Sequence, residues 1–489
     1  MLHFWLVLFV LLMTLVFWKW TRPRNFPPGP WALPIIGNFL QIDYRNPLPD
    51  LEKMCKKFGN VYSIYLGVHA VVIVRGYKAV KEALIGHNAE LLDRPFDPIF
   101  YAISKNRGFS LARYGKSWKE KRRFGLRMLK NLGMGKISME STILEESKYL
   151  LKSFEDMGGQ NFEPKSLLRN AVSNIICRIL FGHRFDYNDG TFTKIVDHVG
   201  KFSKLIGAFW GEVYNGIPII RWLPLPHRYI FKTISLINDF MRQIIIEHKN
   251  TRKVGEPRDF IDHYTEEIEK RKNENDDSYF DEESLFSVVT ELFLAGSDTT
   301  ANTLEWALLF MMTYPDIQAR CYEEIKLTLN GTEELKYEDR HRMPYTLAVI
   351  YEVFRFGIVA PLSVPRGTLK NMLFHGYTIP KGTKVLLDLN SVHRDESQWK
   401  FPHEFNPHNF LNANEEFVKP DAFMAFSAGS RVCIGEILAH MEIFFFFTSL
   451  LKHYEFFWPE KHTKPDLTPS FGITQAPFPF KIGIRHRQV

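Results

Sequence analysis

The chain has 489 residues, of which 45% are hydrophobic and 15% aromatic, and its formal net charge at pH 7 is +7. This composition excludes a disordered or fibrous protein and allows a large buried core. Because no Gly/Ser-rich linker, internal repeat or low-complexity block divides the sequence, it predicts one large globular unit.

The N-terminus predicts a membrane anchor. Residues 1–18, MLHFWLVLFVLLMTLVFW, carry no charged side chain, and their length approaches the roughly 20 residues that cross a bilayer as a helix. Lys19, Arg22 and Arg24 follow, whereas a cleaved signal peptide has basic residues before the apolar run and a small-residue cleavage site after it. We therefore expect residues 1–20 to be an uncleaved single-pass anchor, with the remaining chain in the cytosol. Four cysteines without paired spacing also fit a reducing compartment.

The rest of the chain predicts a mainly α fold with a minor β region. Residues 21–37 are proline-rich and should form a stiff, non-helical linker before a catalytic domain over residues 38–489. VYSIYL and AVVIV predict a β-hairpin over residues 61–74. Helical periodicity dominates beyond residue 78, and strand patterns return over residues 367–389.

Two segments differ from an ordinary protein surface. Residues 113–136 contain nine basic residues and a single acid, Glu120, which is typical either of a solvated face or of a docking surface for an acidic protein. Residues 209–231 are apolar, aromatic and punctuated by proline, which is unlike an ordinary surface loop. The chain shows no basic motif with interleaved aromatic residues, so we expect no nucleic-acid partner.

A helix of about 30 residues is predicted around LFLAGSDTT, residues 292–300. Short polar side chains compete with the backbone for hydrogen bonds, so this stretch is a poor helix interior. It indicates either a solvated kink or a polar functional site. A second helical pattern contains Glu352 and Arg355, whose spacing of three residues allows an ion pair.

The loop FSAGSRVCIG, residues 426–435, places Cys433 between glycines and before a helix-like run. A lone intracellular cysteine is commonly an inert buried residue. Here the neighbouring loop amides, the positive end of the following helix and Arg431 favour a thiolate, which is the form that binds metal.

Phe426, Gly429, Arg431, Cys433 and Gly435 together resemble the heme-binding signature of the cytochrome P450 superfamily. The resemblance covers essentially the whole chain, and it implies the large helical cytochrome P450 fold with heme b between the long I helix and the L helix. Cys433 would be the proximal iron ligand. The segments RPRNFPPGP and AGSDTT resemble the microsomal branch, and the chain looks more like insect members related to the vertebrate drug- and steroid-oxidising family.

The resemblance also implies roles around the heme. Thr299 would donate a hydrogen bond to the distal oxygen, Asp298 would relay protons, and Ala295 would leave room on the heme face. Glu352 and Arg355 match the ExxR motif that braces the cysteine loop, and its third member is open between Asn409, His408 and neither. The implied partners of the heme propionates are Trp118, Arg122, Arg431, Arg366 and Arg94.

Substrate and partner contacts follow from the same resemblance. The implied substrate contacts are Phe96, Phe100, Phe209, Phe293, Ala295, Val359, Val364 and Ile473. The implied binding face for an NADPH-dependent flavoprotein reductase consists of Lys119, Lys121, Arg123, Arg127 and Lys130. Cytochrome b5 is a further candidate partner, membrane lipid is another, and the expected location is the endoplasmic reticulum membrane.

We therefore predict a monooxygenase that inserts one oxygen atom into a hydrophobic small molecule by hydroxylation or epoxidation. An isoprenoid or steroid hormone is one candidate substrate, and a plant toxin or drug is another. Two alternatives stay open: a heme-thiolate isomerase or dehydratase that needs no reductase, and a non-enzymatic heme sensor.

Overall fold

The computed structural model describes Trp5 and residues 23–274, 279–330, 334–460 and 462–487. Apart from Trp5, the predicted anchor over residues 1–20 lies outside these residues. Within the described ranges, no helix is both long and apolar enough to cross a bilayer.

Helices form most of the described chain, as predicted. In chain order they are α1 (Leu48–Phe58), α2 (Tyr77–Lys81), α3 (Pro98–Ser104), α4 (Lys116–Asn131), α5 (Ile137–Glu155), α6 (Lys165–Phe181), α7 (Gly190–Gly207), α8 (Phe209–Gly216), α9 (Arg228–Thr251), α10 (Phe260–Asn273), α11 (Glu282–Thr313), α12 (Pro315–Leu329), α13 (Pro344–Phe356), α14 (Leu389–His393) and α15 (Glu436–His453).

The β region is small and lies in four separate sheets among the described residues. Its strands are β1 (Val61–Leu66), β2 (His69–Val74), β3 (Arg366–Gly367), β4 (Met372–Phe374), β5 (Tyr377–Ile379), β6 (Lys384–Leu387), β7 (Tyr454–Phe457), β8 (Pro469–Ser470), β9 (Ala476–Pro477) and β10 (Gly483–His486). The largest sheet has the order β1-β2-β6-β3, with β2 and β6 parallel. The predicted hairpin is confirmed, because Val61 pairs with Val74 across β1 and β2.

The long helix α11 organises the core. It spans 32 residues and begins with a capping box between Asp281 and Ser284. It packs on α6, α9 and α15, and most of its side chains are buried. The prediction of a helix of about 30 residues is therefore confirmed. Burial on nearly all sides compensates for the weak helix propensity of its polar centre.

The proline-rich linker is non-helical over its described part, residues 23–37. It is also docked on the sheet, because the Ser63 amide donates to the carbonyl of Pro28 at 2.7 Å and the Ser63 hydroxyl donates to that of Pro27 at 2.7 Å. Gly37 has a φ of +68°, and a Cβ there would lie 2.3 Å from the carbonyl oxygen of Tyr65. The folded unit therefore includes residues that the sequence assigned to a linker.

Glu352 and Arg355 form a fully buried ion pair on α13. The guanidinium donates to both carboxylate oxygens at 2.6 Å. Its remaining donors reach the carbonyl oxygens of His393, Phe401, Pro402 and Glu404 at 2.5–3.2 Å. One buried cation thereby fixes the chain between α14 and residue 404.

Asn409 is the third member of this group in the structure. Its amide donates to the Glu352 carboxylate at 3.2 Å and to the Phe401 carbonyl at 3.0 Å, and its side-chain oxygen accepts from the Phe401 amide at 2.9 Å. His408 is exposed, with its nearest carboxylate on Glu415 at 3.7 Å. A neutral amide thus completes the brace.

His393 connects this brace to the cysteine loop. Its Nε2 accepts a hydrogen bond from the Met424 amide at 3.0 Å. Burial, with Arg355 and Arg394 nearby, lowers the pKa of His393 to about 3, so the ring is neutral and able to accept. At the start of the loop, the Ser427 amide donates a hydrogen bond to the Met424 carbonyl at 2.9 Å.

Asn409→Ala is expected to lower the free energy of unfolding by about 1–3 kcal/mol, because it removes buried hydrogen bonds and leaves Glu352 less satisfied. His408→Ala is the matched control, since its side chain is exposed, and should change stability by less than about 0.5 kcal/mol. Thermal or urea denaturation measures both. Equal losses for the two variants would contradict the placement of Asn409 in the brace.

Candidate active site

Cys433 lies in a tight loop that holds its thiol in the open. Ser427 and Gly429 have φ values of +63° and +74°, and the Cys433 amide donates to the Phe426 carbonyl at 3.1 Å. Cys433 is exposed, whereas Cys177 and Cys321 are buried. The loop therefore leaves this sulfur exposed, and we call the space between the loop and the centre of α11 the cleft.

Gly429 and Gly435 serve different purposes in the loop. A Cβ on Gly429 would lie 2.5 Å from the Leu84 carbonyl oxygen and 2.7 Å from Asn88, so this glycine allows protein packing rather than approach to a flat ligand. A Cβ on Gly435 would meet only the Cys433 sulfur, at 3.9 Å, so this position borders open space. Asn88 also bonds the amide and hydroxyl of Ser430 at 3.0 and 2.9 Å. Asn88 is a loop anchor that the sequence did not indicate.

Several groups act on the protonation of the thiol. Although Cys433 has exposed surface, many protein atoms surround it. The resulting desolvation raises the pKa of its thiol. The amides of Gly435 and Glu436, at the N-terminus of α15, and the charge of Arg122 lower it. Metal binding displaces the thiol proton, so these donors favour the ligating form once a metal binds.

Four guanidinium groups cluster beside the cysteine loop, on Arg94, Arg122, Arg366 and Arg431. Arg431 donates to carbonyl oxygens of Leu92, Phe109 and Ala112 at 2.9–3.2 Å. Arg94 donates to those of Ser110, Val364 and Pro365 at 2.8–3.0 Å, and Arg122 to that of Val432 at 2.6 Å. Arg366 reaches Ser427 at 3.4 Å, and its buried Nε has no partner.

None of these four cations is directly paired with a carboxylate of a described residue, although Glu291 and Asp93 act on Arg431, and Glu291 on Arg94, from farther away. In the described ranges, no carboxylate oxygen lies within 4.0 Å of any of their nitrogens. Burial and mutual repulsion lower the pKa of Arg431 to about 9 and that of Arg366 to about 10, and they also lower the pKa of Arg94. A buried, repelling set of guanidiniums fits a ligand that carries carboxylates, as heme does with its propionates.

Trp118 supports this cluster through its ring. Its indole N–H donates to the Phe109 carbonyl at 2.9 Å. This donor was predicted to bind a ligand carboxylate, but here it is used within the protein. The Arg431 guanidinium lies 4.0 Å from the centre of the indole ring. Trp118 therefore positions Arg431 by a cation–π contact.

Glu291 on α11 holds the loop over residues 109–112 whose carbonyls bind these arginines, and no pattern in the sequence indicated this role. Its buried carboxylate accepts from the amides of Phe109 and Ser110 at 3.0 and 2.7 Å. Burial raises the pKa of Glu291 to about 6. The amides of this loop are thus bound by α11, while its carbonyls bind Trp118, Arg94 and Arg431.

The centre of α11 turns one small residue toward the open side. Ala295 is exposed and Thr299 half-buried on an otherwise buried helix. The Thr299 hydroxyl donates to the Ala295 carbonyl at 2.8 Å. Gly296 packs instead on α6, where a Cβ would lie 3.0 Å from Ile176.

Asp298 lies on the buried side in a polar network. Its carboxylate accepts from Arg169 at 3.2 Å, from Asn302 at 3.1 Å and from Thr474 at 2.6 Å. Arg169 also approaches Glu305 at 3.7 Å, and Lys165 lies 3.5 Å from Glu305. The network leads from Asp298 to Lys165, which is partly exposed.

The predicted substrate contacts differ in how deeply they are buried. Val359, Val364 and Ile473 are half-buried, and Val359 is hydrogen-bonded through its carbonyl to the Gln475 amide at 2.8 Å. Phe293 has no exposed surface and packs on Phe181, so it does not line the cleft.

Three other predicted contacts, Phe209, Phe96 and Phe100, differ in their surroundings. Phe209 packs on Phe39 and Tyr44, away from α11, in a separate hydrophobic cluster. Phe96 is 66% exposed and contacts Tyr101. Phe100 is partly buried against the main core.

Of the five basic residues predicted to bind a reductase, four form one exposed face of α4. They lie at helical spacing and are Lys119, Arg123, Arg127 and Lys130. Lys121 is only 3% exposed, and its ammonium group donates to the Arg107 carbonyl at 2.7 Å. Lys121 is therefore not part of the exposed face.

Comparison with known proteins agrees with this site. A family model described as Cytochrome P450 matches residues 27–484. The chain is 40% identical to Cytochrome P450 2F2 of Rattus norvegicus over 99% of this chain and 98% of the relative. It is 40% identical to Cytochrome P450 2J2 of Homo sapiens over 94% and 91% of the two chains. It is 39% identical to Cytochrome P450 2D15 of Canis lupus familiaris over 98% and 97%.

These matches confirm the predicted superfamily and its microsomal branch. The relatives named here are mammalian, and the resemblance to insect members stays a prediction. The cofactor of the family is heme b with a cysteine thiolate ligand, which fits Cys433 and the arginine cluster. The chain belongs to the cytochrome P450 family and is a monooxygenase, an oxidoreductase.

Proposed function

We propose that this monooxygenase works at the endoplasmic reticulum membrane, takes electrons from an NADPH-dependent flavoprotein reductase and oxidises a hydrophobic small molecule. The observation that carries the oxygen-dependent reaction is the Asp298 carboxylate, held by Arg169, Asn302 and Thr474 next to Thr299. An isomerase or a sensor has no need of such a proton route.

Heme would bind between α11 and the cysteine loop before α15, with Cys433 as its iron ligand. Arg366 and Arg431, supported by Arg94 and Arg122, would neutralise its carboxylates, because their own repulsion is relieved by an anion. When bound, heme supplies the activation of dioxygen and the transfer of one oxygen atom. Ala295 adds only a methyl group on the cleft side and so leaves space for dioxygen and substrate.

Protein residues would move protons to this space. Arg169 stays protonated and does not itself pass a proton; it lies 3.2 Å from Asp298 and 3.7 Å from Glu305 and thereby holds the Asp298 carboxylate beside Thr299. Lys165, which is partly exposed, lies 3.5 Å from Glu305 at the outer end of this network. The Thr299 hydroxyl, which donates to the Ala295 carbonyl here, keeps its oxygen lone pairs and would need only a rotation to donate into the cleft. Asp298 and Thr299 thus form an acid and alcohol pair on adjacent residues.

The membrane assignment rests on apolar surface. Residues 1–18 have the length and composition of an anchor. The connection between α8 and α9 exposes Ile219, Trp222 and Leu223 by 68%, 86% and 44%. Neighbouring exposed apolar side chains of this kind suit the hydrocarbon boundary of a bilayer. A substrate that partitions into lipid would reach the cleft from there.

The half-buried residues Val359, Val364 and Ile473 are apolar, which supports a hydrophobic substrate. A hormone-like isoprenoid or steroid and a xenobiotic both satisfy this requirement, by hydroxylation or epoxidation.

The test is turnover of purified protein with a reductase and a panel of lipophilic compounds. The proposal expects consumption of NADPH and dioxygen that depends on reductase and yields an oxygenated product. Conversion of an organic hydroperoxide without reductase, and no oxygenated product with it, would support the isomerase instead. Heme binding without either reaction would support the sensor.

Asp298→Asn is expected to lower the rate of product formation by about 10²-fold, because the carboxylate that holds the proton is lost while its size is kept. The rate and its solvent deuterium isotope effect are measured at saturating substrate. An unchanged rate would exclude Asp298 from proton delivery.

Thr299→Ala should divert reducing equivalents from product to hydrogen peroxide, since the hydroxyl near the reacting oxygen is removed. Thr299→Ser keeps the hydroxyl and serves as the control, with near-normal coupling. The ratio of product to NADPH consumed decides the matter. Equal coupling in the two variants would contradict the role of the hydroxyl.

Charge reversal at Arg123 and Lys130 to Glu should raise the KM for reductase about tenfold at low salt, because long-range attraction to an acidic partner is lost. The difference from wild type should shrink above about 0.3 M salt, where screening is strong. Lys232→Glu, at an exposed position of α9, is the control. Equal effects of both changes would contradict a docking face on α4.

A further inference from the structure

A cavity lies outside the proposed heme site, between α13, α15 and the short 3-10 helix Tyr337–Arg342. Its volume is about 140 Å³. Its walls include Tyr337, Ile350 and Tyr351, together with Phe444 from α15. None of the residues that face the proposed heme site contributes to it.

Size and wall chemistry restrict what this cavity can hold. An engineered apolar cavity of about 150 Å³ holds one benzene molecule, so the space suits a single six-membered ring. Tyr351 and Tyr337 are half-buried and turn aromatic surface toward it. Aromatic walls favour offset or edge contacts with an aromatic ligand.

The charge at the wall is positive. Arg340 lines the cavity and donates one hydrogen bond, to the Tyr337 carbonyl at 2.6 Å. In the part of the chain that is described, no carboxylate lies within 4.0 Å of its guanidinium, whereas the neighbouring Arg342 is paired with Asp339 at 2.5 Å. No acidic side chain lines the cavity among the described residues.

His440 adds a neutral wall. Burial, with Lys419 and Arg340 nearby, lowers its pKa to about 3, so the imidazole carries no charge at neutral pH. Its Nε2 is buried without a hydrogen-bond partner. The ring stacks on Tyr351 with centroids 4.9 Å apart.

We propose that this cavity binds a monocyclic aromatic carboxylate, with its ring among the aromatic side chains and its carboxylate on Arg340. A guanidinium binds a planar carboxylate through two parallel hydrogen bonds, and the free donors of Arg340 suit that geometry. A neutral aromatic compound of the same size lacks this contact and binds more weakly.

The cavity is coupled to the cysteine loop by packing. His440 contacts Phe426 with ring centroids 5.0 Å apart, and the Phe426 carbonyl accepts the hydrogen bond of the Cys433 amide at 3.1 Å. A ligand that moves His440 therefore displaces the residue that sets the loop geometry. Ligand binding in the cavity should therefore change the surroundings of Cys433. The binding itself does not rest on the proposed function.

The test is isothermal titration of the full-length protein with benzoate, after an azole inhibitor has filled the active site. One equivalent of benzoate should bind, and benzamide should bind at least tenfold more weakly. Arg340→Gln should weaken benzoate by tenfold or more, and Leu347→Trp, which fills the cavity from a lining position, should abolish binding. Arg342→Gln, on the same short helix but outside the cavity, is the control and should bind as wild type does.

Benzoate binding that persists in Leu347→Trp, or that falls equally in Arg340→Gln and Arg342→Gln, would overturn the proposal, as would absence of binding at millimolar benzoate. Because the titration detects heat and not turnover, it gives a result even if the reductase-dependent reaction fails. A benzoate-induced shift of the heme absorption band in wild type, absent in Leu347→Trp, would demonstrate the coupling.

Discussion

The fully buried pair of Glu352 and Arg355 is the constraint on which the rest of the site depends. Two opposite charges with no exposure are tolerated only when every remaining donor and acceptor is satisfied. Arg355 meets this condition by binding four carbonyl oxygens between residues 393 and 404, and Glu352 by binding the Asn406 amide and Asn409. His393, whose carbonyl binds Arg355, accepts a hydrogen bond from the Met424 amide and so connects this pair to the cysteine loop. The position of the Cys433 sulfur therefore depends on the Glu352–Arg355 ion pair, which acts through residues 393–404 and Met424.

A second set of charges is arranged in the opposite way. Arg366 and Arg431 are buried beside other guanidiniums, with no carboxylate within 4.0 Å in the described chain. The first arrangement stabilises the fold, whereas the second stores repulsion that an anionic ligand relieves. Glu291 and Trp118 keep these cations in place through the loop around Phe109. The same protein thus separates a structural ion pair from a site prepared for a carboxylated cofactor.

The sequence predicted the features that depend on local pattern. The hairpin over residues 61–74, the long helix and the helix after Cys433 follow from periodicity, and the structure contains each of them. It did not reveal Asn88, Arg169 or Glu291, because their partners lie more than 100 residues away and no spacing rule connects them. Residue type also misled: Lys121 reads as a surface base and Phe293 as a cleft residue, yet both are buried by neighbouring helices. Whether a side chain faces the cleft is decided by helix packing, which one sequence does not encode visibly.

The most direct test of the account is the absorption spectrum of the reduced carbonyl complex of wild type and of Cys433→His. Thiolate ligation by Cys433 predicts a strongly red-shifted Soret band in wild type, and the variant should bind heme with the band of a nitrogen-ligated protein at shorter wavelength. A red-shifted band that survives in Cys433→His, or a wild-type protein that shows none, would contradict the central assignment.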